Sequence, residues 1–172
     1  MVGIYKAAID DGDGAVRGAK ISIWAERPDR LHAELIAPIG GVAYVLDAGD
    51  GHACVVDVAA ATAYVGAAGP GAIEALIGVR SSVADAVVAL LTGASQDGLA
   101  VSRVGRKDGA LPESIRIADG SRSISLTRIR LERATHDPRT LGTGVPPERL
   151  AVRPIESFTR AVDDRREPER GE

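Results

Sequence analysis

Six Asp-Gly dipeptides punctuate the chain: Asp11-Gly12, Asp13-Gly14, Asp50-Gly51, Asp97-Gly98, Asp108-Gly109 and Asp119-Gly120. Asp-Gly favours the positive-φ hairpin turn, because Gly has no Cβ to clash and Asp tolerates the left-handed region. A chain so punctuated must reverse direction after short segments. Between the turns it is rich in β-branched residues that alternate, as in Ile21-Ser22-Ile23 and Leu31-His32-Ala33-Glu34-Leu35. Tyr44 and Leu46 share one phase, and Ile115 and Ile117 share another. Period-two alternation joined by hairpin turns implies antiparallel strands with one buried face. Strands are expected near 2–9, 15–26, 30–37, 42–48, 52–58, 62–66, 99–105, 113–118, 121–134 and 149–155.

One stretch has a different period. Pro70 suits a first helical turn, Ile73, Leu76 and Ile77 fall three and four apart, and Gly78 supplies a stop. Ser82 with Asp85 forms a capping pair, and Val83, Val87, Leu90 and Leu91 make an apolar stripe ending at Gly93. Two short helices are therefore expected between the sixth and seventh strands. The strand near 121–134 changes phase, since Ile124 and Leu126 are even while Ile129 and Leu131 are odd. A bulge near Thr127-Arg128 would return both pairs to one face. The stretch 137–147 lacks periodicity and is expected to be a loop. Residues 159–172, heavily charged, are expected to form a disordered tail beyond a single domain over 1–158.

Composition narrows the function. Net charge is −3, so the chain as a whole has no pull toward nucleic acid, and only five residues are aromatic, too few for base-stacking platforms. No apolar run approaches the roughly 18 residues of a spanning helix. The lone Cys54 excludes an internal disulfide and a multi-cysteine metal site. His32, His52 and His136 lack partners at metal-motif spacing on a helix and are expected to be solvated or at strand edges. There is no Gly-x-Ser-x-Gly elbow. Gly69-Pro70-Gly71 opens a helix, but Glu74 stands where a dinucleotide fingerprint needs its third Gly. Carboxylates fall on expected outer faces without an evident acid/base pair. The expectation is a chain without enzymatic activity, metal or cofactor.

Ile36-Ala37-Pro38-Ile39-Gly40-Gly41 joins two expected strands. Pro38 cannot donate to a ladder and the glycines permit a sharp reversal, which leaves Ile39 a bulky apolar side chain at the tip of a turn. Ile39 there either folds back on the core or projects as an apolar tip for a bilayer or partner.

From Leu31 to Gly40 the chain resembles the strand and Pro-Leu-Gly loop of the LolB outer-membrane lipoprotein receptors and their LolB-like relatives. Tyr64-Val65-Gly66, the two-helix segment, Leu90-Leu91-Thr92-Gly93, Pro112, the Ile115/Ile117 strand and the late Pro146-Pro147 follow in that family's order. The resemblance spans roughly residues 2–157 and is one of pattern and order. It implies a curved antiparallel half-barrel of about ten to eleven strands, mainly β, closed by a short helical lid, the architecture shared with the LolA carriers. It implies an apolar cavity for the acyl chains of lipoproteins or lipids, a LolA-type carrier as donor, and the inner leaflet of the outer membrane as destination. It also implies a place on the periplasmic face of that membrane. Pro38, Ile39 and Gly40 would form the membrane-insertion loop. Cys54 lies within an expected strand and is not expected to fill the role of the family's lipidated N-terminal Cys.

Physical reasoning supports a hollow independently. A sheet of about ten strands buries one face, yet only two short helices are available to cover it, so a space remains if they do not close tightly. Acyl chains entering it would gain roughly 0.8 kcal/mol per buried methylene without any polar site. By phase, the wall should include Ile21, Ile23, Leu35, Tyr44, Leu46, Val56, Ile124, Leu126, Ile129 and Leu131. From the lid, Ile73, Leu76, Ile77, Val83, Val87 and Leu90 should face them. The expected state is a monomer. Alternative readings are a soluble LolA-like carrier, a non-catalytic structural or interaction module, and a hydrolase with a dispersed site.

Overall fold

Ten strands form one open sheet in a computed structural model of the chain. It describes residues 2–10, 12, 16–37, 40–95, 98–105, 110–120, 122–132, 144 and 148–158, with the main chain alone at 16, 17, 75 and 77. The strands are β1 (Val2–Asp10), β2 (Val16–Glu26), β3 (Arg30–Ile36), β4 (Val42–Gly49), β5 (His52–Asp57) and β6 (Thr62–Ala67). After the helices α1 (Pro70–Ile77) and α2 (Val83–Thr92) come β7 (Leu99–Val104), β8 (Ser114–Asp119), β9 (Arg122–Glu132) and β10 (Ala151–Pro154). Their order across the sheet is β10-β6-β5-β4-β3-β2-β1-β9-β8-β7. The fold is thus mainly β, with all ten expected strands and both helices in place. The expected tail at 159–172 and most of the expected loop at 137–147 lie outside the described residues.

Local chemistry sets these elements. Asp50 and Gly51 both take the left-handed region (φ 52° and 78°), closing β4 onto β5 with Gly49 paired to His52. The Ser82 hydroxyl accepts the Asp85 N–H and starts α2, while Gly78 and Gly93 end the helices at φ 79° and 76°. β6 and β7 lie at opposite sides of the sheet, so the chain between them must cross one face. α1 and α2 make that crossing and bury Ile73, Val83, Val87 and Leu90 against it.

Two features depart from expectation. The sheet is not antiparallel throughout, because β10 pairs parallel to β6. The chain also continues past β10 into a helical turn over 155–158. Its Phe158 packs on Tyr44 and Tyr64, with ring centroids 5.7 and 4.9 Å away, and is 2% exposed. The core therefore has three covers over one face: α1, α2 and this turn.

Candidate functional site: an apolar hollow under the helices

The inward face of the sheet and both helices converge on a cavity of about 50 Å³. Its lining is Ile21, Ile23, Leu31, Ala33, Leu46, Ile117, Ile124 and Leu126 from the sheet, with Ile73, Leu76, Ala86 and Leu90 from the helices. No lining residue is polar. β4 and β8 both reach this space although four strands separate them. Laid flat, strands that far apart would stand roughly 24 Å from one another at ~4.8 Å per strand, so the sheet curls around the helices.

Eight of the expected positions line this cavity: Ile21, Ile23, Leu46, Ile73, Leu76, Leu90, Ile124 and Leu126. Val83 and Val87 are fully buried in the same core, and Leu35 and Tyr44 pack half-buried against it, outside the cavity lining. The side chain of Ile77 lies outside the described residues.

Three expected positions lie elsewhere. Val56 is buried, but in a separate cluster with Cys54 and Ala63, under Val45, Val65 and Leu150 on the outer face. β5 is covered on both sides, so residues 53 to 57 are buried without alternation and the phase of Val56 cannot be read from the sequence. Ile129 and Leu131 are 54% and 43% exposed. The expected bulge is present slightly later in the strand: Tyr5 pairs with Arg128 and Ile4 with Arg130, leaving Ile129 extra. Register does bring Leu131 to the row of Gly3. The space over Gly3 is already filled by the Tyr5 ring, which a Cβ on Gly3 would meet at 2.5 Å. The Tyr5 hydroxyl donates to Pro112 O (2.9 Å), and Arg128 Nη1 donates to Leu111 O (3.0 Å). This end of the core is thus sealed without Leu131. Burial pushes the Tyr5 phenol up to about 12, against smaller opposing effects of Arg128 and Arg103.

Sequence reasoning did not single out Leu31, Ala33, Ala86 and Ile117 as lining residues. Leu31 and Ile117 carried the signal, Leu31 in phase with the chosen Leu35 and Ile117 in phase with Ile115. The alanines carried none, because a small side chain marks a cavity only once its surroundings are known.

The helices meet the far side of the sheet through polar contacts. Arg122 Nη1 on β9 donates to Glu74 Oε1 on α1 (2.8 Å), and the Arg80 N–H between the helices donates to Asp119 at the end of β8.

On the outer face, Trp24, His32, Asp47 and Cys54 form one row across β2 to β5. His32 is not solvated as expected: its side chain is 17% exposed, with Nδ1 3.0 Å from Asp47 Oδ1 and Nε2 3.6 Å from Glu34 Oε1. Burial alone would lower its pKa. Hydrogen bonds and charge from Asp47 and Glu34 outweigh that and raise it to about 9. Asp47 Oδ2 also accepts the Gly144 N–H (3.2 Å), and Ser22 donates to Glu34 rather than to His32. The arrangement is an imidazolium held between two carboxylates. It ties β3 and β4 to Gly144. Burial and the nearby Asp47 push the Cys54 thiol up to about 11. Among the described residues no three His, Cys, Asp or Glu side chains form a metal-binding group, and no helix is long and apolar enough to cross a membrane.

Pro38 and Ile39 lie outside the described residues. Their flanks are described: the Ala37 N–H donates to Gly41 O (3.0 Å) and the Gly40 N–H to Ala37 O (2.9 Å), with Gly40 and Gly41 at φ 89° and 84°. The sequence matches no protein-family model and no curated protein.

Proposed function

We propose that this chain shelters the acyl chains of a lipoprotein or lipid between its sheet and helices and passes them to the outer membrane, as a receptor of the LolB type. One observation carries the reading. Twelve apolar side chains from five strands and both helices meet around a single space that no polar residue lines. Such a surface recognises methylene chains by exclusion of water, and offers nothing to a polar substrate. The order of elements, which resembles that family from β1 to β10, supports the same reading. On it, the donor is a LolA-type carrier, the β3–β4 loop with Pro38, Ile39 and Gly40 meets the membrane, and the protein works at the periplasmic face of the outer membrane. Catalytic groups, metal and cofactor have no part in such a transfer.

Binding of a fluorescent fatty-acyl probe tests the proposal. Ala86 lines the cavity from α2, so Ala86→Leu fills it. Saturable binding that Ala86→Leu weakens at least about tenfold, some 1.4 kcal/mol, is the expected result. Absence of binding by the parent chain would favour the second reading, a structural β module whose helices are solid core. The cavity volume of about 50 Å³ is the observation on that side.

A further inference from the structure

We infer that the outer face of β8, β9, β1 and β2 is a cationic surface that docks on a bilayer containing anionic phospholipid, through Lys6, Lys20 and Arg116. The hollow lies on the other face of the sheet, so the inference does not rest on acyl-chain binding and goes beyond it. Register places the three cations together. Trp24 marks the outer face of β2, and Lys20, four residues before it, shares that face. Lys6 stands directly opposite Lys20 on β1, Thr127 opposite Lys6 on β9, and Ser114 opposite Thr127 on β8. Arg116, two residues beyond Ser114, points the same way, and its Nη2 donates to Ser123 Oγ (3.1 Å). Lys6, Lys20 and Arg116 are all exposed.

The free protein leaves this charge uncompensated. Two ammonium groups directly opposite on neighbouring strands repel, and such a pair lowers stability. Among the described residues no carboxylate forms an ion pair with Lys6, Lys20 or Arg116. The carboxylates of the outer face are engaged elsewhere: Glu34 and Asp47 at His32, Glu132 at Arg130, and Asp10 by the Gly12 N–H (3.0 Å). The chain has a net charge of −3, so this half-face runs against the sign of the whole. The other half is covered, with Cys54, Val56 and Ala63 buried under Val45, Val65 and Leu150. An anionic partner would relieve the repulsion between the lysines. The cations spread over four adjacent strands, a width of roughly 14 Å, so the partner must present several anionic groups. Between them stand small side chains, Ala8, Ala118 and Ser125, with Val104 57% exposed at the β7 margin. A protein partner needs large anchoring side chains or pockets, and single-stranded nucleic acid needs aromatic platforms. A plane of anionic headgroups needs only cations on an open face.

The experiment reads partitioning of the full chain onto sedimented vesicles of phosphatidylglycerol and phosphatidylcholine, against phosphatidylcholine alone, at low salt. Circular dichroism checks each fold. The expected result is binding to the anionic vesicles only, lost in about 0.5 M NaCl. Each Lys or Arg near such a surface is worth about fivefold, so Lys6→Gln/Lys20→Gln/Arg116→Gln should weaken binding on the order of 100-fold. Arg27→Gln/Arg149→Gln/Arg153→Gln removes the same charge from exposed positions elsewhere and should stay within about threefold of the parent. Lys20→Glu separates binding from structure. A carboxylate opposite Lys6 should hold or raise the urea midpoint, yet cut vesicle binding further than Lys20→Gln does. No binding by the parent to anionic vesicles, equal losses in the two triple variants, or binding indifferent to salt would overturn the inference. Capture of poly-glutamate in place of vesicles would make the partner an acidic protein and overturn it as well. Acyl-probe binding, measured separately, tests the hollow and has no bearing on this face.

Discussion

His32 carries the most consequential charge on the outer face. Its pKa rises from 6.5 to about 9 because Asp47 and Glu34 hold the imidazolium more strongly than burial disfavours it. A histidine raised in the folded state stabilises fully below its unfolded pKa near 6.5, and the contribution is lost as pH climbs through about 9. The shift corresponds to something on the order of 3 kcal/mol, since each pKa unit is worth about 1.4 kcal/mol. Urea midpoints should therefore fall between pH 6.5 and 9, and His32→Gln should flatten that part of the curve. The decline above pH 9 should persist in the variant, because the Cys54 thiol, raised to about 11, ionises more readily in the unfolded chain. An unchanged slope in His32→Gln would mean that another group sets it. Gly66 makes a second residue-scale test. A Cβ there would lie 2.3 Å from Ile155 Cγ2, so Gly66→Ala should displace the 155–158 turn and lower stability, read as a lower unfolding midpoint.

At the scale of elements, the 155–158 turn joins the core through two side chains, Ile155 and Phe158. Phe158 is almost wholly buried between Tyr44 and Tyr64, so Phe158→Ala should cost about 3 kcal/mol in urea unfolding. A loss below about 1 kcal/mol would mean that the turn merely lies on the core. Ser82→Ala, which removes the α2 cap, should cost about 1 kcal/mol. These two elements differ in how plainly the sequence announces them. α2 has its cap, apolar stripe and terminal Gly in one continuous run. The turn offers only Ile155 and Phe158 three apart after Pro154, too short a pattern to tell from a strand end. The strands were legible from their alternation, and most sharply where Asp-Gly turns mark their ends, as between β4 and β5 and between β8 and β9. Phase was legible wherever one face is solvated, as in β3, and failed where both faces are covered, as in β5, or where a bulge intervenes, as in β9. The approach of Asp47 to His32 was not legible, since it depends on the pairing of β3 with β4, whereas Glu34 shares the face of His32 by spacing along one strand.

The whole molecule sets a limit on how a ligand can enter. A water-sized group needs roughly 10–15 Å³ of such volume, so the cavity of about 50 Å³ has room for only a few methylenes. An acyl chain is several times longer, so on the proposed function the walls must part. The sheet is hydrogen-bonded strand to strand from β10 to β7, and separating it would break ladders throughout. The helices are held to it by side-chain packing, by the Arg122–Glu74 pair and by the Arg80–Asp119 contact. Arg122 and Glu74 are 44% and 28% exposed at the side chain, a setting in which an ion pair contributes at most about 1 kcal/mol. The helices should therefore move while the sheet stays fixed. Hydrogen exchange read by mass spectrometry should show faster exchange in α1 and α2 when an acyl probe is bound, with β1 to β5 unchanged. Arg122→Ala should speed probe uptake several-fold, up to the fivefold that about 1 kcal/mol allows, and barely change the urea midpoint. Equal acceleration across sheet and helices would mean that the ligand loosens the whole domain. Slower exchange in α1 and α2, with uptake indifferent to Arg122, would mean that the chain lodges outside the hollow, and lipid carriage under the helices would have to be given up.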